Sequence, residues 1–437
     1  MATIPTIDMT GDDGEARLQA LLAAIPSATA GGEVADLVAR VIEDIRRNGD
    51  DGIVRYLREF SHPGYQPEHV RVSAAAIEAA EKQLEPGLRD ALRRAIDNVR
   101  AYQRHIMPGE PPPLRLHGAT LGMRFTPVDS AGLMVPGGSG AYPSTLVMLA
   151  VPAQAAAVPQ LAVATPPRPG GEQPEVDLAV LGLCGLLGIQ TVYRFHGAAV
   201  AALALGTESV EPVAMLAGPG NAYSQQAKRQ LYGHVGVDGL YGPSEVMLWA
   251  DADADPGWLA ADLLAQAEHN PGAGFVMSRD QAVLERVAAE VEQQVIRRSR
   301  RGAIEHALQT WCALLLVADD AAAANLINRV APEHLTIALR EARAALPAIR
   351  HAGAIFLGDS SPVASGDYWA GPSHCLPTGR TARFSSGCSV YTFLKRSSVE
   401  AYPNGLPQQG SRDIATIALA EGFEAHAHSI RVRQSND

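Results

Sequence analysis

Apolar positions recur at helical spacing through the first quarter of the chain. Within 33–60, Val34, Leu37, Val38, Val41, Ile42 and Ile45 stand three and four apart with charged residues between them, which predicts helix. The stretch 74–105 repeats the pattern and is interrupted by Pro86 and Gly87. The run Pro108, Pro111, Pro112 and Pro113 then disfavours helix and predicts an extended connector, so a boundary is expected nearby.

Beyond Ala131 the texture changes. Short β-branched or apolar runs at 133–135, 161–164, 191–195 and 213–216 precede helical runs at 145–157, 176–187, 198–205 and 223–232. Four strand–helix units in succession predict a parallel sheet covered on both faces. A second block has expected strands at 245–250, 274–277, 313–317, 335–339 and 354–357, with helical runs between them. The expected fold class is therefore α/β, with two doubly wound domains. After Leu357 come Gly-, Ser- and Pro-rich loops, then a short tail from about Val390 with one helix-like stretch at 414–425.

With 437 residues, 47% apolar and 19% charged, the chain is too apolar for wholesale disorder and has no fibrous repeat. Its 36 basic and 47 acidic side chains, a net −11, do not make a basic nucleic-acid surface the default. The four cysteines form no C-x-x-C pair, which argues against a disulfide framework or a zinc–thiolate site. The first residues lack the basic-then-apolar order of a signal peptide. The most apolar stretches, 146–158 and 178–189, fall short of a bilayer span, so a cytoplasmic protein is expected.

Several segments could carry chemistry. PGGSG (136–140) and GPGN (218–221) each lie between an expected strand and an expected helix, where backbone N–H groups can meet an anion. Neither is a full dinucleotide fingerprint, and turn chemistry alone also explains them. Asp262, Gln266 and His269 share one helical stripe; the last two could hold a metal or simply form a polar face. In APEHLT (331–336), Glu333 and His334 sit where a helix ends and a strand begins. An adjacent acid and imidazole suit proton transfer near neutral pH, although a surface turn is the plainer alternative. Asp367 and His374 share one loop, and Glu421, His426 and His428 follow in the tail. Such groups, gathered from separate element ends, point to a metal-dependent active site.

Taken in order, VPGGSGAYPSTLVMLAVPAQAAAV, GTESV, GPGNAYSQQAKRQ, GPSEV, DLLAQAEH, APEHL, AGAIFLGD, SGDYWAGPSHCLPT and EGFEAH resemble the zinc- and NAD-dependent histidinol dehydrogenase family, across residues 33–433. The resemblance implies oxidation of L-histidinol to L-histidine through the aldehyde, with two NAD+ and one Zn2+. It also implies a homodimer with shared active sites, each subunit holding two incomplete Rossmann-like domains. The corresponding segments are 1–130, a helical region joining the second α/β domain; 131–243, the NAD side; 244–388, with the zinc and catalytic residues; and 389–437, a tail reaching the partner subunit.

Residue by residue, the resemblance carries the zinc ligands over to Gln266, His269, Asp367 and His426, and the catalytic pair to Glu333 and His334. Ser144, Ser244, His374 and Glu421 match substrate-holding positions, beside His334 and the four ligands. Glu421 and His426 would serve the partner's site. Three positions match NAD contacts: Asn221, Met134 and Ala198. The last two depart from the family's Tyr and Gln, and Leu240 and Tyr241 depart from its Pro-Ala. These departures motivate a second reading, a relative oxidising another small alcohol, as sulfopropanediol dehydrogenase does with a dihydroxypropane sulfonate. A third, a zinc-binding protein without redox activity, is opposed by the intact Glu333 and His334.

Overall fold

The computed structural model describes residues 4–27, 31–137, 140–171, 173–269 and 271–434. They divide into a larger unit (4–106 with 129–393) and a smaller one (107–128 with 394–434).

In chain order the larger unit begins with β1 (Thr6–Asp8) and the helices Gly14–Ala24, Glu33–Asn48, Asp50–Phe60, Ala74–Gln83 and Pro86–His105. The chain then contributes β2 (Leu114–Leu116) and β3 (Ala119–Pro127) to the smaller unit. Returning, β4 (Ser130–Met134), β5 (Gln160–Ala164), β6 (Thr191–Tyr193), β7 (Met215–Ala217) and β8 (Gly236–Val237) form a parallel sheet of order β6-β5-β4-β7-β8. Next, β9 (Ser244–Ala250), β10 (Gly272–Ser278), β11 (Cys312–Leu316), β12 (His334–Ala338) and β13 (Ala354–Leu357) join β1 in a second parallel sheet, β1-β11-β10-β9-β12-β13. The α/β class with two doubly wound sheets is thus present.

The second sheet is buried on both faces, which is why its strands read as unbroken apolar runs rather than alternating ones. Val246, Leu248, Val276 and Leu314 face the helices Pro256–Ala267, Gln281–Val295 and Arg301–Thr310. Their neighbours Met247, Trp249, Phe275 and Leu315 face Leu18, Leu326 and Ile327 on the other side. Capping marks the helix starts. Asp255, ahead of Pro256, accepts the N–H groups of Gly257 and Trp258; Asp280 accepts that of Ala282 to cap Gln281–Val295, and Asp319 that of Ala322 to cap helix Asp320–Val330.

Two organisational expectations need correction. Region 1–130 does not join the second α/β domain as a whole: β1 and helix Gly14–Ala24 pack on its sheet, and helix Pro86–His105 reaches its 369–371 loop. The helices Glu33–Asn48 and Asp50–Phe60 bury Val38, Ile42, Ile45, Ile53 and Leu57 against the first sheet's Tyr193, Phe195, Leu203 and Leu216. Each such side chain contributes about 1.5–3 kcal/mol relative to exposure, which outweighs proximity in sequence. The expected helix 33–60 is also divided, at Gly49 (φ +55°). A Cβ there would strike the Glu208 carboxylate, which accepts the Asp50 N–H at 2.9 Å. Glu208 belongs to the GTESV block, so that block clamps the break between the two helices.

The tail also differs from its expected form. β14 (Leu394–Ala401) pairs antiparallel with β3 along its whole length, and β2 extends the same sheet, so 107–128 and 394–434 form one unit. In place of one helix at 414–425 there are two, Gln408–Ala420 and Glu424–Arg431, packed through Ala415, Ala418 and Ala427. The break falls at Gly422 (φ +81°), between flanks whose alanines favour helix on both sides. All four cysteines are free and buried. Among the described residues, no helix is long and apolar enough to cross a membrane.

Candidate active site

A cavity of about 350 Å3 in the larger unit is lined from both α/β layers. The first layer presents the C-terminal ends of β4 and β7, the usual ligand edge of a parallel sheet. The second presents the opposite, N-terminal edge: Ser244 opens β9 and His334 opens β12. Of the expected site residues, Met134, Ser144, Asn221, Ser244, Gln266, His269, Glu333, His334, Asp367 and His374 all line this cavity.

Glu333 and His334 are fastened by the start of β9. The Glu333 carboxylate accepts Ser244 Oγ at 2.7 Å and the Glu245 N–H at 2.9 Å. Burial nevertheless pushes its pKa up to about 8, since these two hydrogen bonds only partly offset lost hydration. His334 Nδ1 lies 3.3 Å from the Glu245 carbonyl, which can only accept, so Nδ1 is the donor in the neutral ring. Burial lowers the His334 pKa, favouring that neutral form. Its Nε2 is left as an acceptor, 3.9 Å from Asp367 Oδ1.

Asp367 is the next-to-last residue of the short helix Val363–Tyr368. Its backbone carbonyl accepts His374 Nδ1 at 3.0 Å, while His374 Nε2 meets Thr145 Oγ1 at 3.1 Å. Burial drives the His374 pKa down to about 4, so this ring is a fixed neutral strut. Helix Pro86–His105 braces the same loop through Asn98 Nδ2 on the Trp369 carbonyl and Gln103 Nε2 on that of Gly371. Gln266 is buried near the end of helix Pro256–Ala267, and His269 follows just after it. The return into β10 requires Gly272: a Cβ there would come 2.1 Å from the Gln266 carbonyl oxygen.

Gln266, His269 and Asp367 offer an amide, an imidazole and a carboxylate to one cavity, a donor mixture suited to zinc. Gln266 Nε2 is buried without a partner, and an amide left so costs about 1–3 kcal/mol. Turning that amide brings its oxygen to the same point. Asp367 is pushed up by burial, with His334 and His269 opposing, so this carboxylate has a deficit that a cation would relieve. Among the described residues no three His, Cys, Asp or Glu side chains form a metal-holding group by themselves. The single chain therefore fits as part of a zinc site that includes the glutamine.

Other expected residues lie elsewhere. Ala198, expected at the cofactor, is fully buried and does not line the cavity; its N–H donates to Tyr56 Oη at 3.2 Å. Glu421 and His426 belong to the smaller unit, where both are exposed. Asn221 caps helix Ala222–Leu231, accepting the Ser224 N–H at 3.1 Å. In the PGGSG loop, Gly138 and Ser139 lie outside the described residues. Asp262, on the expected ligand stripe, instead holds the Val363 backbone.

Further residues of the site escaped the sequence reading. Glu245 is buried at the start of β9, accepts the Gly379 N–H at 3.0 Å, and is pushed up to about 8 by burial and then by Glu333. A carboxylate inside an apolar strand was the available signal. Lys228 Nζ contacts Asp238 Oδ1 at 2.6 Å and the Gly218 carbonyl at 3.0 Å, with both side chains fully buried. Asp238 Oδ2 accepts the Gly218 N–H at 2.7 Å and Tyr241 Oη at 2.8 Å. This knot fixes the GPGN turn against the cavity. Lys228 falls on the buried stripe with Ser224, Ala227 and Leu231, where a lysine demands a partner.

Comparison with known proteins agrees with this architecture. The family model described as histidinol dehydrogenase matches residues 26–434. A Synechococcus sp. protein named histidinol dehydrogenase is 43% identical over 401 residues, covering 91% of this chain and 92% of its own length. One of the same name from Rhizobium meliloti is 43% identical over 404 residues, covering 92% of each. The crystal structure of histidinol dehydrogenase from Elizabethkingia anophelis superposes with a TM-score of 0.90 at 29% identity, covering 99% of this chain and 98% of that one. With nearly all of its length matched and its two-layer cavity in place, the chain belongs to the histidinol dehydrogenase family.

Proposed function

We propose that this chain oxidises L-histidinol to L-histidine through L-histidinal, with two NAD+ as electron acceptors and a zinc ion anchoring the substrate. The observation that supports this most is the pair Glu333 and His334, both on the cavity and both oriented by the Ser244–Glu245 edge. When bound, NAD+ supplies the hydride acceptor, and zinc supplies a charge that orients the substrate's amine and imidazole nitrogens.

His334 accepts the alcohol proton at Nε2 in the first oxidation, because Nδ1 is committed to the Glu245 carbonyl. Glu333 takes a proton from the water that adds to the aldehyde; a carboxyl with pKa about 8 is a stronger base once ionised than an ordinary one. Ser244 orients that carboxylate, and the Asp367, His374 and Thr145 chain holds the facing wall. Met134 and Asn221 stand on the cofactor side, with Ser144 on the substrate side.

Gln266, His269 and Asp367 would hold the zinc, together with His426 of the partner subunit. Glu421 of the partner subunit would complete the substrate pocket in a homodimer. The relatives reported above carry histidinol dehydrogenase names, so the reading with another small alcohol is not favoured. The test is NADH formation from L-histidinol by zinc-loaded protein, followed to completion. Two NADH per histidinol are expected; none, with zinc bound, would overturn the assignment.

A further inference from the structure

The family resemblance puts a cofactor-contacting side chain at Ala198, yet Ala198 has no polar side chain and lies outside the cavity lining. Its N–H is tied to Tyr56 Oη, which fixes the turn after β6 so that a different residue faces the cavity. That residue is His196, three positions beyond the end of β6 and therefore at the C-terminal edge of the first sheet.

Besides Tyr142 and Ser144, which follow β4, the first-sheet wall offers few free polar groups. Asn221 uses Oδ1 to cap its helix, and Ser224 Oγ donates back to the Asn221 carbonyl at 2.9 Å. The His196 ring has no hydrogen-bond or ion-pair partner among the described residues, although it is partly buried. Burial alone lowers its pKa, with no nearby charge acting on it. A neutral imidazole offers one donor and one acceptor. It suits an uncharged hydroxyl or amide better than a phosphate.

We propose that His196 is a cofactor-binding residue, its imidazole hydrogen-bonding an uncharged hydroxyl or amide group of the nicotinamide dinucleotide. It takes over the polar contact that Ala198 cannot make. The inference rests on the proposed use of NAD+ as cofactor.

The experiment is a fluorescence titration of NADH and a calorimetric titration of ADP-ribose, without substrate. It uses the wild-type enzyme, His196→Ala, His196→Leu and His196→Gln. Loss of one hydrogen bond weakens NADH binding by about threefold to tenfold in the Ala and Leu variants, while Gln stays within about twofold of wild type. Parallel loss for ADP-ribose places the contact on that half of the dinucleotide; loss for NADH alone places it on the nicotinamide riboside half. The KM for NAD+ rises while kcat and the KM for histidinol hold. Wild-type affinity in the Leu variant, with unchanged thermal melting, would overturn the role of His196 alone. Failure of the wild-type enzyme to bind NADH would overturn the cofactor reading as well.

Discussion

Replacing Lys228 by Met should destabilise the protein far more than a surface lysine would. Lys228 and Asp238 both have 0% side-chain exposure, and the ammonium donates to Asp238 Oδ1 and the Gly218 carbonyl. It also lies 4.7 Å from the centre of the Tyr241 ring. Met fills similar volume but leaves the Asp238 carboxylate with only the Gly218 N–H and Tyr241 Oη. Breaking a buried pair from one side costs about 3–5 kcal/mol, mostly from the charge left behind. Asp238→Asn alone should cost a similar amount, by stranding the ammonium. The double variant removes both charges and should cost no more than either single change, giving a favourable coupling of about 3 kcal/mol. Equilibrium urea unfolding of the four proteins, with slopes compared to check that the transition is unchanged, measures this. A single-variant cost below about 1 kcal/mol, or a double variant equal to the sum of the singles, would refute the reasoning.

Four other outcomes are expected. His334→Asn should slow the alcohol step by about 100-fold or more, whereas Glu333→Gln should spare it and impair aldehyde oxidation, whose rate should rise with pH toward about 8; single-turnover kinetics with each substrate separates the two. The folded Glu245 carboxyl is raised from 4.5 to about 8, so the native state keeps a proton that the unfolded chain sheds within that window. Stability should therefore fall as pH climbs from 4.5 to 8 and level off above, and Glu245→Gln should flatten that slope in urea midpoints. Chelation should abolish turnover and added zinc restore it, with metal content followed by atomic absorption; full activity in metal-free protein would remove the zinc site. Mixing His334→Asn and His426→Ala subunits should regenerate about a quarter of the sites if each site is shared across a two-fold dimer, measured as recovered NADH formation after proven exchange.

Much of the fold was legible along the chain. Apart from β1 and β8, the strands of both sheets lie within a few residues of their expected positions because buried parallel strands are short, apolar and bounded by turns or caps. Helix Arg301–Thr310 and strands β1, β2, β3, β8 and β14 were not legible. The helix carries mixed charges, and the strands are short or largely exposed, so none has a strong apolar period. The same holds for the site. Glu333, His334, Gln266, His269, Asp367 and His374 stood out by residue type at element ends, and the resemblance supplied their roles. Glu245, Lys228 and Asp238 did not, because a charge inside an apolar segment announces only that it needs a partner.

Local pattern alone determined the α/β class, the alternating elements, and the groups capable of proton transfer and metal binding. Tertiary structure decided which edge of each sheet faces the cavity. The first sheet contributes its C-terminal edge and the second its N-terminal edge, so Ser244 and His334 begin their strands at the site. Tertiary structure also decided that His196 rather than Ala198 lines the wall, that helices Glu33–Asn48 and Asp50–Phe60 pack on the first sheet, and that burial moves Glu333 toward neutrality. The physical reason is common to these cases. Period and propensity act over a few residues, whereas burial, hydrogen-bond partners and the dielectric around a charge depend on segments far apart in sequence.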